Sequence, residues 1–309
     1  MITNYNQEDN FMAISRSIYL LTVTIAVLLL FLLSLSLVYM FRKDNNFVFN
    51  KDSIALVEVK GMIIDSGEII QQLEYVKDND NIKAVVLRID SPGGVVGPTQ
   101  EIHNEIIKLK KEKPVIVSMG SVAASGGYYI AAPANIIFAN PGTITGSIGV
   151  LMKLANFQTL LDKVGIKSIV LKSGEFKDSG SPVRPLTKQE QVILQGIIDS
   201  MYGQFVTAVA DGRKIPLKKV IEFADGRIFT GEQAKQIQLV DKLGNLQDAI
   251  DEAANITGIK HKPKIVYPPQ PKKSFIDLFV TGSLGSFINS IKSKSGEVER
   301  FEYSMRTGQ

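Results

Sequence analysis

The longest apolar stretch of the chain comes first. Between Ser17 and Phe41 no charged residue occurs, and YLLTVTIAVLLLFLLSLSLVYMF is apolar almost throughout. A helix of this length covers the ~30 Å hydrocarbon core of a bilayer. Tyr19, Tyr39 and Phe41 lie near its ends, where interfacial aromatics belong. A buried core helix rarely runs so long without a charge. A cleaved signal peptide has a shorter apolar region, and no A-x-A-like site follows. The pattern therefore predicts a short tail over 1–16, a transmembrane anchor over 17–41 and a polar linker over 42–52.

Downstream the period changes. IALVEVKG (54–61), IKAVVLRID (82–90) and PVIVSMG (114–120) read as strands, the second apolar on both faces and so central and parallel. Between them, Ile69, Ile70, Leu73 and Val76, then Ile102, Ile106 and Leu109, recur at helical spacing. Strand, helix, strand predicts an α/β fold with right-handed crossovers. The alternation continues with a helix starting in SGGYYIAAPA, a short strand in 135–141, a helix over 157–166 and a strand over 167–174. Thr187 and Glu190 form a T-x-x-E capping box. It opens a long helix with Ile193, Ile197, Met201, Phe205 and Val209 in one stripe. Residues 226–254 read as a short strand, a Thr-capped helix and a closing helix. From His261 the composition turns Pro- and Lys-rich, which sets a domain over 53–260 apart from an extension over 261–309. Phe275, Leu278, Phe279, Leu284, Phe287 and Ile291 give the extension a weakly amphipathic segment.

Composition narrows the chemistry. The chain has 309 residues, 35 basic and 31 acidic, for a net charge of +4. So small an excess, with no basic stripe interleaved with aromatics, gives no argument for nucleic acid as a partner. There is no cysteine, which removes disulfides, zinc–thiolate sites and a Cys nucleophile. His103 and His261 are the two histidines and cannot build a His-rich metal site. No metal and no cofactor is expected.

Two glycine-rich elements follow strands. In RIDSPGG (88–94) a tight turn leaves backbone N–H groups unobstructed, as an oxyanion site requires, although an ordinary strand-to-helix turn has the same composition. In GSVAASGGYYIAAPAN (120–135) Ser125 begins a helix. It reads either as an N-cap or as a nucleophile beside the N–H of Gly126. Ser121 reads as structural and the paired tyrosines as packing. A nucleophilic serine needs a base, and neither histidine lies in a glycine-rich turn. A lysine kept neutral by apolar surroundings can serve. Lys177, in VLKSGEFKDSGSP (170–182), sits in a Gly/Ser-rich loop beside Phe176, and Lys172 at the strand end is its local rival. NPGTITGSIGV (140–150) adds a third small-residue loop, with Ser147 able to hydrogen-bond an amine.

Taken together, DSPGG, GSVAASGGYYIAAPAN, NPGTITGSIGV, SGEFKDSGSP and DGRIFTGEQAKQIQLVDKLG resemble, in order and spacing, the signal peptide peptidases of family S49. These are bacterial membrane-anchored serine proteases. The resemblance covers about residues 53 to 260 and matches the short, single-repeat form. It implies a ClpP/crotonase-like α/β fold, with Ser125 as nucleophile and Lys177 as general base. It further implies an oxyanion hole from the N–H groups of Gly94 and Gly126, Gly93 shaping the turn, and Ser147 orienting the lysine. It implies a homo-oligomeric ring in which Ser and Lys of adjacent subunits complete each site. The implied substrates are signal peptides and other apolar peptides beside the membrane, the anchor at 17–41 holding the bilayer.

The flanking charges conflict with the family in one respect. Arg16 precedes the span beside Glu8 and Asp9, whereas Arg42, Lys43 and Lys51 follow it. The positive-inside rule would leave the large domain in the cytoplasm. The family places it outside the cytoplasm on a single-pass anchor in the bacterial inner membrane, and the expectation here follows the family. Three rivals remain at this point. A ClpP-like Ser-His-Asp peptidase needs a histidine soon after the serine, and none lies between Ser125 and His261. A crotonase-type acyl-CoA enzyme has no use for Lys177. A catalytically inactive scaffold of the same fold has no need of Ser125 and Lys177 together.

Overall fold

Alternate side chains of three strands point to opposite faces, and both faces are covered. The computed structural model describes residues 20–37 and 52–269. The expectations for 1–16, for the ends of the apolar span, for residues 42–51 of the linker and for the segment from 270 onward lie outside these. Leu20–Leu37 is a helix (α1) of 18 residues, exposed along its whole length. At 1.5 Å per residue it is about 27 Å long, enough to cross a bilayer's apolar core. It belongs to a unit of its own, separate from the unit that starts at Asp52.

The second unit is built on β1 (Ser53–Lys60), β2 (Ile82–Ser91) and β3 (Val115–Ala124), linked by α2 (Gly67–Asp78) and α3 (Val96–Lys110). After β3 come α4 (Gly126–Ala131), β4 (Ile136–Ala139), β5 (Ile144–Gly146), α5 (Gln158–Lys163), α6 (Lys188–Arg213) and α7 (Leu217–Ile221). β6 (Ile228–Thr230), α8 (Gly231–Gln236), β7 (Lys242–Leu243), α9 (Leu246–Thr257) and β8 (Lys264–Val266) complete it. The sheet order is β6-β5-β3-β2-β1-β8, with β4 paired to β3 and β7. Every pairing is parallel except β5 with β6.

Val57, Leu87 and Val117 face one side and pack under α2, α3, α4 and α6 through Leu73, Ile106, Tyr128 and Val209. Ile54, Val86 and Ile116 face the other and are covered by Ala249, Ala253 and Ala254 of α9. Truncating one such aliphatic side chain costs about 2–5 kcal/mol, because the neighbours close the void only partly.

One irregularity shapes the sheet. β2 and β3 run in register to Ile89↔Met119, then resume at Ser91↔Ala123. The additional residues of β3 bulge, and Asp90 holds the bulge by accepting the Val122 N–H at 3.0 Å. Gly120 is required there, since a Cβ would stand 2.8 Å from the Asp90 carboxyl carbon. Before the bulge β3 pairs with β4, and after it with β5.

The caps follow the sequence. Thr187 and Glu190 form the expected box at α6, Thr230 caps α8, and Asn245 opens α9 with a third box. Three expectations need correction. Residues 167–174 form no strand, because no neighbour offers them a ladder of hydrogen bonds. The helix expected over 157–166 is reduced to α5, with no buried residue. In the α6 stripe Phe205 and Val209 are buried, while Ile193 and Ile197 remain 40% and 46% exposed. β5, α7, β7 and β8 were not expected. Past residue 260 the chain returns to the sheet, where Lys264–Val266 pairs with β1.

Tyr128 is fully buried and donates its hydroxyl to the Leu239 carbonyl at 2.9 Å. Burial holds its phenol neutral by pushing its pKa upward. Tyr128→Phe leaves that carbonyl without its donor and should cost about 1–3 kcal/mol. The check is the thermal unfolding midpoint of the detergent-solubilised protein, which should fall while Ser125 stays in place.

Candidate active site

Ser125 stands where β3 ends and α4 begins. Its φ is 53° and its ψ −121°, a conformation that L-residues rarely hold. Such strain costs on the order of 1–3 kcal/mol and persists only where the surroundings impose it. They do so here from both sides. The Ser125 N–H donates to Gly146 O at 2.8 Å, and its carbonyl accepts the Tyr129 N–H at 2.9 Å. The hydroxyl makes no capping hydrogen bond, so the N-cap reading is set aside. Ser121 is exposed on β3 and does not line the cavity described below.

The turn after β2 approaches Ser125 closely. A Cβ on Gly93, which has φ 105°, would lie 2.7 Å from the Gly126 nitrogen and 2.9 Å from the Ser125 Cβ. A Cβ on Gly94 would lie 1.9 Å from Ile63 O, so only glycine fits. This turn is pinned to the loop after β1: the Ile63 N–H donates to Gly93 O at 2.9 Å, and Val95 N–H to Ile63 O at 2.8 Å. A Cβ on Gly126 would meet the Gly94 nitrogen at 3.1 Å. The backbone nitrogens of two separate glycine turns are thus brought together beside one serine.

A third wall comes from the end of β5. Gly146 and Ser147 both have positive φ, 79° and 51°. The Ser147 N–H donates to Arg227 O at 2.9 Å, and the Gly226 N–H to Ile148 O at 3.0 Å. Asp225 caps that hairpin through Arg227, whose guanidinium lowers the carboxyl to about 2.

These elements enclose a cavity of about 430 Å³. Gly94, Ser125, Gly126 and Ser147 line it together with Val96, Thr99, Tyr129, Leu151, Met201 and Phe205. Most of the lining is apolar, which suits an apolar side chain beside a hydroxyl and a pair of amides. Tyr129 and Phe205 rings stand 4.8 Å apart, and His103 meets Tyr129 edge-on at 4.8 Å from the far side. Burial lowers the pKa of His103, with Asn104 opposing. Neither His103 nor the exposed His261 lines the cavity.

Lys177 stands apart from this group. It is exposed, does not line the cavity, and its side chain has no hydrogen bond or ion pair among the described residues. Lys172 is engaged, by the Asp178 carboxylate at 2.5 Å and Glu175 O at 2.6 Å. Both lie in an arm, 151–189, in which no residue is buried. Leu151, Ile169 and Leu171 of that arm are 74%, 85% and 95% exposed.

Two family models match this chain: Clp protease over residues 46–141 and Peptidase family S49 over residues 107–260. A protease-named protein of Synechocystis sp. is 46% identical over 211 residues, 68% of this chain and 76% of that protein. A protease-named protein of Methanocaldococcus jannaschii is 31% identical over 307 residues, 92% of this chain and 99% of that protein. An Enterococcus faecium protein bearing the name of the signal peptide peptidase SppA is 38% identical over 212 residues, 64% of this chain and 62% of that protein. A mixed sheet of ClpP-like form, with these relatives, defines a serine peptidase. The chain belongs to peptidase family S49.

Sequence reasoning had singled out Ser125, Gly93, Gly94, Gly126 and Ser147, and the fold gathers all five. It missed Val96, Thr99, Met201 and Asp225 as cavity wall, and gave Tyr129 and Phe205 to packing alone. Val96 and Thr99 open the helix after the first glycine turn, which was the one available signal. Ser125→Gly should relieve the backbone strain. Set against the greater chain entropy of glycine, the net gain is about 1 kcal/mol. The thermal midpoint of Ser125→Gly should therefore exceed that of Ser125→Ala, which keeps the strained backbone and a Cβ.

Proposed function

We propose that this chain is a membrane-anchored endopeptidase using a Ser125–Lys177 dyad, with each site completed by two neighbouring subunits. The observation that carries the reading is the strained, uncapped Ser125 at the wall of an apolar cavity, with the Gly94 and Gly126 nitrogens close together beside it. Neutral Lys177 takes the hydroxyl proton as Ser125 Oγ attacks a peptide carbonyl. The N–H groups of Gly94 and Gly126 hold the tetrahedral oxyanion, a contribution of about 10²–10³ in rate per donor. Lys177 then protonates the departing amine, which breaks the C–N bond. Water, deprotonated by the same lysine, releases the acyl group. Ser147 orients the lysine amine, and Gly93 sets the turn.

Two features favour a second copy as the source of the lysine. No hydrogen bond links Lys177 to Ser125 within one chain. The arm that carries Lys177 exposes Ile169 and Leu171, and the adjoining start of α6 exposes Val192 and Ile197, as an unpartnered interface would. Lys177 rather than Lys172 is the base on this reading, since the Lys172 amine is already engaged by the Asp178 carboxylate and the Glu175 carbonyl. α1 anchors the single-pass protein in the bacterial inner membrane with the peptidase domain outside the cytoplasm. Substrates are extended apolar peptides at the membrane, such as cleaved signal peptides.

Wild type should label with a fluorophosphonate probe and cleave an apolar reporter peptide, and Ser125→Ala should do neither. Lys177→Ala should lose on the order of 10³-fold or more in rate, whereas Lys172→Ala should stay within a few fold. Unchanged cleavage by Lys177→Ala sinks the dyad. Co-assembled Ser125→Ala and Lys177→Ala subunits should recover about a quarter of wild-type activity if random mixing builds shared sites in a closed ring. No recovery from mixed particles places Ser and Lys of each site in one chain.

A further inference from the structure

The loop that bears Lys177 lacks the means by which a catalytic side chain is ordinarily held. It forms neither strand nor helix, and nothing from 151 to 189 is buried. Its own backbone bonds are short-range turns: Lys177 N–H to Gly174 O at 3.2 Å, Ser179 N–H to Phe176 O at 3.1 Å and Ser181 N–H to Asp178 O at 3.0 Å. Turns of this kind set local shape and leave the loop's place in the fold open.

Arg184 makes most of the bonds that tie the loop to something firm. The Arg184 Nε donates to the Asp178 carboxylate at 2.9 Å, and a terminal nitrogen donates to the Asp178 carbonyl at 3.2 Å. Arg184 therefore grips both the side chain and the main chain of the residue that follows Lys177. Its other terminal nitrogen donates to Glu190 Oε2 at 2.9 Å, and a further bond reaches Glu190 Oε1. Glu190 is only 3% exposed and is fixed in turn: it accepts the Thr187 N–H at 2.9 Å as part of the α6 capping box, and the Ser179 hydroxyl at 3.1 Å. A planar guanidinium is the group that spans two carboxylates in this way, and lysine cannot replace its geometry.

Charge balances across the same cluster. Asp178 and Glu190 carry two negative charges, and Arg184 and Lys172 two positive ones. Removing Arg184 would leave this cluster with one negative charge in excess, on the residue that follows Lys177 in the chain and on Glu190.

We propose that Arg184 is a positioning residue for the general base: it couples the Lys177 loop to the start of α6 and keeps the surroundings of that lysine neutral. The proposal rests on Lys177 being the base. Arg184 touches no reacting atom. Its loss is felt through Lys177.

The test uses full-length protein in detergent, with Arg184→Ala, Arg184→Lys, Lys177→Ala and the Arg184→Ala/Lys177→Ala double variant. The readouts are kcat and KM on the reporter peptide, the pH profile, the rate of fluorophosphonate labelling at Ser125, and particle mass. Arg184→Ala should lower kcat by about 10–100-fold with KM within about twofold, since Ser125 and the cavity are untouched. The rising limb of its pH profile should move to higher pH by about one unit. Arg184→Lys restores the charge without the fork, so its limb should return towards wild type with kcat in between. In the Lys177→Ala background, Arg184→Ala should slow labelling no further. Wild-type kcat in Arg184→Ala alongside an inactive Lys177→Ala overturns this proposal and leaves the dyad standing. Losses that multiply in the double variant, or that follow a loss of particle mass, also overturn it, because Arg184 would then be supporting structure in general. An active Lys177→Ala overturns the dyad and this proposal together.

Discussion

The change of neighbours along β3 is the constraint on which the rest of the site depends. A strand can pair with one ladder on each side, yet β3 must reach the core beside β4 and the serine beside β5. It does both because Gly120 lets the chain bulge against Asp90, and because the Asp90 carboxylate takes the Val122 N–H that the bulge leaves without a strand partner. Beyond that point the Thr143 hydroxyl donates to Gly120 O at 2.7 Å, and the Thr145 hydroxyl to Ala123 O at 2.6 Å. These bonds give the Val122 N–H and the Gly120 and Ala123 carbonyls the partners that a buried backbone needs. Its final residues bring Ser125 to Gly146 and to the glycine turn after β2.

Two kinds of support meet at this site. The serine, the glycine turns and the Ser147 loop hang from parallel strands whose side chains are buried on both faces. Their geometry is set by close backbone approach, at distances where a single methyl group has no room. The arm between Leu151 and Gln189 relies instead on ion pairs and turns. Its apolar side chains face solvent in the single chain, so its order depends on what comes to cover them.

The central strands and their helices were legible because burial on both sides of the sheet writes itself as continuous runs of Val, Ile and Leu in 82–90 and 114–120. The caps at Thr187 and Thr230 were legible because a hydroxyl followed three residues later by Glu or Gln has a local cause. The turns holding Gly93, Gly94, Gly126 and Ser147 stood out because small residues cluster where backbones touch, while the choice of Ser125 as nucleophile and the part given to each residue came from the resemblance to family S49. What stayed hidden was non-local. Ile144–Gly146 is too short to show a period, and Lys264–Val266 pairs with β1, whose partners are chosen only in the folded sheet. The run 167–174 has the composition of a strand, but composition does not supply a neighbour. Met201 and Asp225 reach the cavity from distant elements, and nothing local marks either as wall.

The contrast between the two supports has a consequence for how the molecule breathes. Ala123 and Ala124 near the end of β3 are buried, and their amides should exchange only through opening on the scale of the whole domain. Amides of the arm have no buried side chain above them and should exchange through small local openings that leave the sheet intact. On the proposed reading, the nucleophile belongs to the slowest-exchanging part of the protein and its base to one of the fastest. The site would then assemble and come apart many times within the lifetime of a single folded core, with the serine as its fixed half.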